Sequence, residues 1–172
     1  MKKMFLPVLV ATMLMSVYSC SAQGDKSKRP SPPAKATATL ASGVTVTIDY
    51  SQPSVKGRTI GKDIAPYGKV WRTGANEATV FELSKNATVG GNALPAGKYG
   101  LYSIPGESEW TIIFNKTSNQ WGTNYTESDD ALRIKATPSK AKTATEKMTF
   151  DINKNGTVTL MWADTQVSFM VK

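Results

Sequence analysis

Alternation of apolar and polar side chains with a period of two runs through this chain from Val44 onward. Val44, Val46, Ile48 and Tyr50 fall on one face of an extended segment, as do Trp110, Ile112 and Phe114, and as do Met148, Phe150 and Ile152. Successive side chains of a strand point to opposite sides, so this spacing predicts strands with one buried face. No comparable stretch carries the stripe of a helix. Near the end, Val158, Leu160 and Trp162 give way to Val167, Phe169 and Val171 in the opposite phase, which predicts a tight turn at Ala163-Asp164. Asn155-Gly156 suits a type I′ hairpin turn, because both residues tolerate positive φ. Ser42-Gly43, Gly90-Gly91, Pro95-Ala96-Gly97 and Pro105-Gly106 punctuate the rest.

About nine strands follow from this reading, near 35–40, 44–50, 78–83, 98–104, 110–116, 132–137, 146–152, 157–162 and 166–171. Short strands with frequent turn signals predict an all-β fold, an antiparallel two-sheet sandwich, with a closed β-barrel as the alternative. A parallel sheet would need helices between its strands, and none is predicted.

The ends of the chain read differently. Lys2 and Lys3, the uncharged apolar run Met4–Tyr18 and the small residues that follow have the form of an export signal over residues 1–19. The run is shorter than the roughly 20 residues a membrane-spanning helix needs. Val17-Tyr18-Ser19-Cys20 fits a lipobox, which makes Cys20 the expected lipid anchor; cleavage by ordinary signal peptidase after Cys20-Ser21-Ala22 is the alternative. The expected place is the bacterial cell envelope, in the periplasm or at the outer membrane, or a soluble periplasmic or secreted form. Residues 20–34 are rich in Ser, Lys and Pro, lack large apolar side chains and read as a disordered linker. The folded domain is expected over 35–172.

Composition excludes whole classes of chemistry. There is no histidine and one cysteine, so intrachain disulfides, cysteine metal clusters and the usual zinc ligands are out of reach. No cofactor is expected, and any catalysis would rest on carboxylates, Lys, Tyr or Ser/Thr. Of the net charge of +8, two charges belong to Lys2 and Lys3 and a net three to the stretch from Ser21 to Lys35. The remainder is too weakly basic for a nucleic-acid partner.

The segment Trp71-Arg72-Thr73-Gly74-Ala75-Asn76-Glu77 is the most unusual in the chain. Trp71 offers a ring face for a sugar, and Arg72, Asn76 and Glu77 offer hydrogen bonds to a polar ligand. The competing reading is a structural corner in which Trp71 plugs the sandwich, Arg72 pairs with Glu77 or Asp63, and Asn76 satisfies backbone groups. A glycosidase would need Glu77 to work with a second carboxylate, and Asp49, Asp63 and Glu82 show no telling spacing. In Lys98–Tyr102 the two tyrosines fall on opposite faces, so an exposed Tyr102 beside Gln120 and Trp121 would form an aromatic platform; Trp110 and Trp162 read as core.

Three stretches, Tyr50–Arg58, Pro66–Glu77, and Leu94–Tyr102 through Trp110–Asn115 to Gln120-Trp121-Gly122, resemble an uncharacterised bacterial family, domain of unknown function 2911. The resemblance implies an exported, β-rich envelope protein and supplies no activity or catalytic residues. The combined expectation is a non-catalytic module that binds a carbohydrate, another small polar ligand or an envelope protein, touching the membrane only through Cys20. A carboxylate-dependent hydrolase and a purely structural assembly protein are the rivals.

Overall fold

The computed structural model describes residues 25–172, so the export signal and Cys20 lie outside the described residues. The described residues form no α-helix, and their strands are antiparallel apart from one short parallel pair. Six strands make the main sheet in the order β1 (Pro33–Thr39), β2 (Thr45–Ser51), β5 (Thr79–Leu83), β8 (Gly97–Ile104), β9 (Trp110–Asn115) and β10 (Asp130–Ala136). A long hairpin of β11 (Pro138–Ile152) and β12 (Thr157–Met170) forms the opposing layer. Two small pairs, β3 (Ile60–Gly61) with β4 (Ile64–Pro66) and β6 (Ala87–Val89) with β7 (Asn92–Leu94), decorate the connections. No sheet closes into a barrel, so the architecture is the expected sandwich.

The alternating residues do what their spacing demands. Val46, Ile48, Phe81, Leu101, Ile112 and Phe114 from the main sheet share one apolar cluster with Met148, Phe150, Val158, Leu160, Trp162, Val167 and Phe169 from the hairpin. The register sets the row Ala36, Ile48, Phe81 and Tyr99 side by side across four strands. Phe81, Phe114 and Phe169 meet edge-on or tilted at centroid distances of 5.0–6.2 Å, the geometry aromatic quadrupoles favour.

The outer face of β8 and β9 is covered as well. The loop 116–126 folds over it, and Tyr102, Ile113 and Ala78 form a second small core with Ile104 and Tyr125. Gly100 lies beneath this loop, where a Cβ would sit 2.7 Å from the Thr117 carbonyl oxygen.

Two turn expectations are corrected. No turn occurs at Ala163-Asp164, because β12 runs straight through. Ala163 has φ 51° and the pairing register shifts on both sides of it, β11 bulging between Thr149 and Thr145 and again between Thr145 and Lys140, so the phase changes from Trp162 to Val167 at an irregularity that does not reverse the chain. At the 153–156 connection only Gly156 has positive φ, and its N–H bonds to the Asn153 carbonyl at 2.9 Å. That is a tight turn closed by a left-handed glycine rather than a type I′ pair.

The amino-terminal edge also differs from expectation. The first strand starts at Pro33, and Asp25–Pro32, read as spacer, lies against the domain with Lys26 and Arg29 on Glu77. Opposite charge, together with the Asn76 amide on the Ser31 carbonyl and the Gln52 N–H on the Pro32 carbonyl, holds a segment that has no large apolar side chain to bury.

Candidate functional site

The connection from β2 to β5 carries the Trp71–Glu77 corner and is tied to its surroundings by backbone pairing. Trp71 and Ser103 exchange N–H to carbonyl bonds of 2.7 and 2.8 Å, Ala78 donates to Gln120 at 3.0 Å, and Gly122 donates to the Asn76 carbonyl at 3.1 Å. Inside the bend, the Thr73 hydroxyl donates to Ser103 Oγ at 2.9 Å and the Thr79 hydroxyl to the Thr73 carbonyl at 2.9 Å, all three residues being buried. Thr73 and Asn76 have φ of 47° and 59°, and Ala65, in the same β2-to-β5 connection, has 45°. Left-handed backbone at three non-glycine residues is costly and holds only where neighbouring contacts over-determine it.

Trp71 is half-buried and stacks on Trp162, with ring centroids 5.4 Å apart and planes 11° from parallel, while Trp110 meets it edge-on at 6.2 Å. Its Nε1 donates to the Gly74 carbonyl at 3.1 Å. The ring is therefore part of the packing and also a wall of a cleft.

That cleft, of about 390 Å3, is lined by Trp71, Trp162, Arg72, Arg58 and Asn76 among others, over a floor of Ile64 and Ala65. A second cleft of about 380 Å3 lies on the other side of the Trp71-Arg72 wall, against Gly122 and Tyr125. Arg72 thus stands between two openings. Its Nε is buried without a hydrogen-bond partner, and its stem packs so tightly on Gly122 that a Cβ there would collide with Arg72 Cδ.

The expected pairing of Arg72 with Glu77 or Asp63 is not found. Asp63 accepts instead from the Thr59 N–H at 2.9 Å, and Glu77 holds Arg29 at 2.9 Å and Lys26 at 3.1 Å. Burial pushes the Glu77 carboxyl up, but its own amide, Arg29 and Lys26 together outweigh that and bring it down to about 2. Asn76 does serve backbone, donating to the Ser31 carbonyl at 3.1 Å. Asn76 and Glu77 are chain neighbours, yet Asn76 lines the larger cleft and Glu77 a smaller depression that its cationic partners Lys26 and Arg29 also line.

The aromatic platform expected around Tyr102 does not form. Tyr102 is fully buried, Gln120 Nε2 donates to its hydroxyl at 2.9 Å, and its ring packs on Tyr125. Trp121 is 49% exposed and its backbone bridges Glu77, apart from the clefts. Of the sequence candidates, then, Trp71, Arg72 and Asn76 converge, while Glu77, Tyr102, Gln120 and Trp121 support the corner from behind. Sequence reasoning missed Arg58, whose only signal was its position in the first stretch of family resemblance, and it placed Trp162 in the core without the cleft. Among the described residues, no group of acidic side chains is arranged to hold a metal ion.

No curated protein and no solved structure matches the chain. A family model described as "Protein of unknown function (DUF2911)" matches residues 31–171, which takes in the six-stranded sheet, the hairpin and the whole Trp71–Glu77 corner. The chain belongs to the DUF2911 family.

Proposed function

We propose that this protein is an exported, non-catalytic binding module that holds a small polar ligand in the cleft beside Trp71 and Arg72. The observation that carries the reading is the buried, partnerless Nε of Arg72 at the wall of an open cleft. A buried donor without an acceptor costs about 1–3 kcal/mol, a cost relieved when a ligand draws the Arg72 side chain round so that Nε meets its oxygen. The Trp71 ring beside it supplies an apolar face of the kind that carbohydrate rings stack on.

The carboxylates are poorly placed for hydrolysis. Glu77 is engaged by two cations, Asp49 by Lys35, Glu82 by Lys98 and Asp63 by a backbone N–H. A carboxyl held at about 2 is too weak a base near neutrality to share in general acid–base work.

Export and anchoring at Cys20 belong to the same proposal: Cys20→Ser is expected to move the protein from the membrane fraction to the soluble envelope fraction. The binding reading is tested by a thermal-shift screen of the purified domain against monosaccharides, sugar acids and phosphorylated sugars. Compounds that raise the melting temperature of the wild type are expected to leave Arg72→Gln unmoved. A screen in which no compound shifts the wild type, or in which the variant responds equally, sinks the reading.

A further inference from the structure

We infer that the ligand of this cleft presents an oxyanion, a carboxylate or a phosphate group, to Arg72 and Arg58. The inference rests on the binding reading above and narrows its chemistry.

The first ground is the donor set. Among the described residues, three buried side-chain polar atoms lack partners: Arg72 Nε, Trp162 Nε1 and Thr145 Oγ1. Two of these belong to residues of the same cleft wall, and both are N–H donors that can only give a hydrogen bond. Trp162 is only 3% exposed, so its indole has no bulk water to turn to. Both atoms are closed to water, so an acceptor oxygen meets them only through a turn of the Arg72 side chain or an opening of the wall, and the ligand class rests on the charge of the cleft.

The second ground is charge. Arg58 lines the same cleft; its Nε and Nη2 are fixed on the carbonyls of Val55 and Ser54 at 3.0 and 2.7 Å, and its Nη1 takes no part in either bond. Neither Arg58 nor Arg72 forms an ion pair among the described residues. No carboxylate lines the cleft, and the nearest one in sequence, Glu77, is neutralised elsewhere by Lys26 and Arg29. Arg58 and Arg72 both line a space without acid, which gives it a local positive potential, and the forked guanidinium matches the geometry of carboxylate and phosphate oxygens. The adjoining Trp71 and Asn76 would hold the remainder of the molecule, which makes a sugar acid or a sugar phosphate the fitting size of ligand.

Isothermal titration of the domain with sodium galacturonate, glucose 6-phosphate, inorganic phosphate and methyl glucoside separates the cases. Galacturonate or a phosphate compound is expected to bind at least about tenfold more tightly than methyl glucoside. Arg58→Gln is expected to lose several-fold in affinity and, because it gives up the bonds to the Val55 and Ser54 carbonyls, to melt slightly earlier while remaining folded. Arg72→Lys, which keeps the charge but not the fork, is expected to recover only part of what Arg72→Gln loses. Binding of galacturonate alone supports a carboxylated saccharide, and binding of the phosphates alone supports a phosphate ester. Methyl glucoside binding as tightly as galacturonate, with Arg72→Gln still losing it, overturns the oxyanion assignment and leaves the binding reading intact. Binding of none of the four, while an uncharged compound of the wider screen binds in an Arg72-dependent way, overturns it likewise.

Discussion

Truncating Trp71 tests whether the corner is held by the same aromatic stack that lines the cleft. Removing a fully buried Trp side chain costs about 3–5 kcal/mol. Trp71 is half-buried, so the lower end, about 3 kcal/mol, applies to Trp71→Ala. Part of that is the stacked contact with Trp162, worth about 0.5–1.5 kcal/mol beyond area burial, and part is the Gly74 carbonyl left without its donor. In a domain of this size 1 kcal/mol moves the melting temperature by about 2–4 °C, which makes the expected loss roughly 6–12 °C. Differential scanning calorimetry of Trp71→Ala, Trp162→Ala and the double variant measures the pair directly, since a double-mutant cycle isolates what the two rings share. Trp71→Phe keeps a ring against Trp162 but deletes the bond to Gly74, and is expected to fall between wild type and Trp71→Ala. A Trp71→Ala melting temperature within about 3 °C of wild type, or strictly additive single variants, would refute the claim that the stack holds the corner.

Other expectations follow from the charged and buried groups. The Glu77 carboxyl is held at about 2 against 4.5 for a free group, so its pairing with Arg29 and Lys26 stabilises the fold above about 4.5, and that contribution disappears as pH falls through about 2. Because Glu77 and its partners are partly solvent-exposed, the effect is under about 1 kcal/mol, and Arg29→Gln should flatten the acid limb of a melting-temperature-against-pH curve. Tyr125, raised to about 12 by burial and by its 2.6 Å bond to Asp130, should remain protonated in a spectrophotometric titration at pH 11. That raised value stabilises the fold below about 10 and ceases to do so as pH rises through about 12, a loss that Asp130→Asn should reduce. Gly122→Ala drives a methyl group onto Arg72 and the Asn76 carbonyl, so it should abolish cleft binding in the thermal-shift screen while lowering the melting temperature by a few degrees.

The sandwich was legible because its signal is local and repeated: each of Val46, Ile48, Ile112, Phe114, Met148 and Phe150 reports its own face. The phase change after Trp162 was equally visible, but a turn and a bulge both shift a period of two by one residue, and only pairing with β11 distinguishes them. The cleft was half legible. Trp71, Arg72 and Asn76 stand out as unusual neighbours in sequence, whereas Arg58 and Trp162 join them only through folding, across gaps that no spacing rule spans. Tyr102 was misjudged because nothing in β8 reveals that a polar loop from another connection will cover its outer face. Glu77 lost its apparent role for a similar reason: its partners come from Lys26 and Arg29, in a stretch whose composition reads as spacer.

The main sheet is a meander in which each strand pairs with the next main strand along the chain. Because the ladders are completed without it, the β2-to-β5 excursion behaves as an appended module. Within it, Ile60, Ile64 and Ala65 anchor the interior, while the tips at 56–59 and 66–70 face solvent. Of these positions Arg58 lines the larger cleft and Val70 the second, so exchanging those two side chains would alter what stands at the cleft mouths and leave the hydrogen-bond register of all six strands unchanged. An evolving lineage, or a protein engineer, can retarget such a scaffold by editing exposed positions such as Arg58 and Val70.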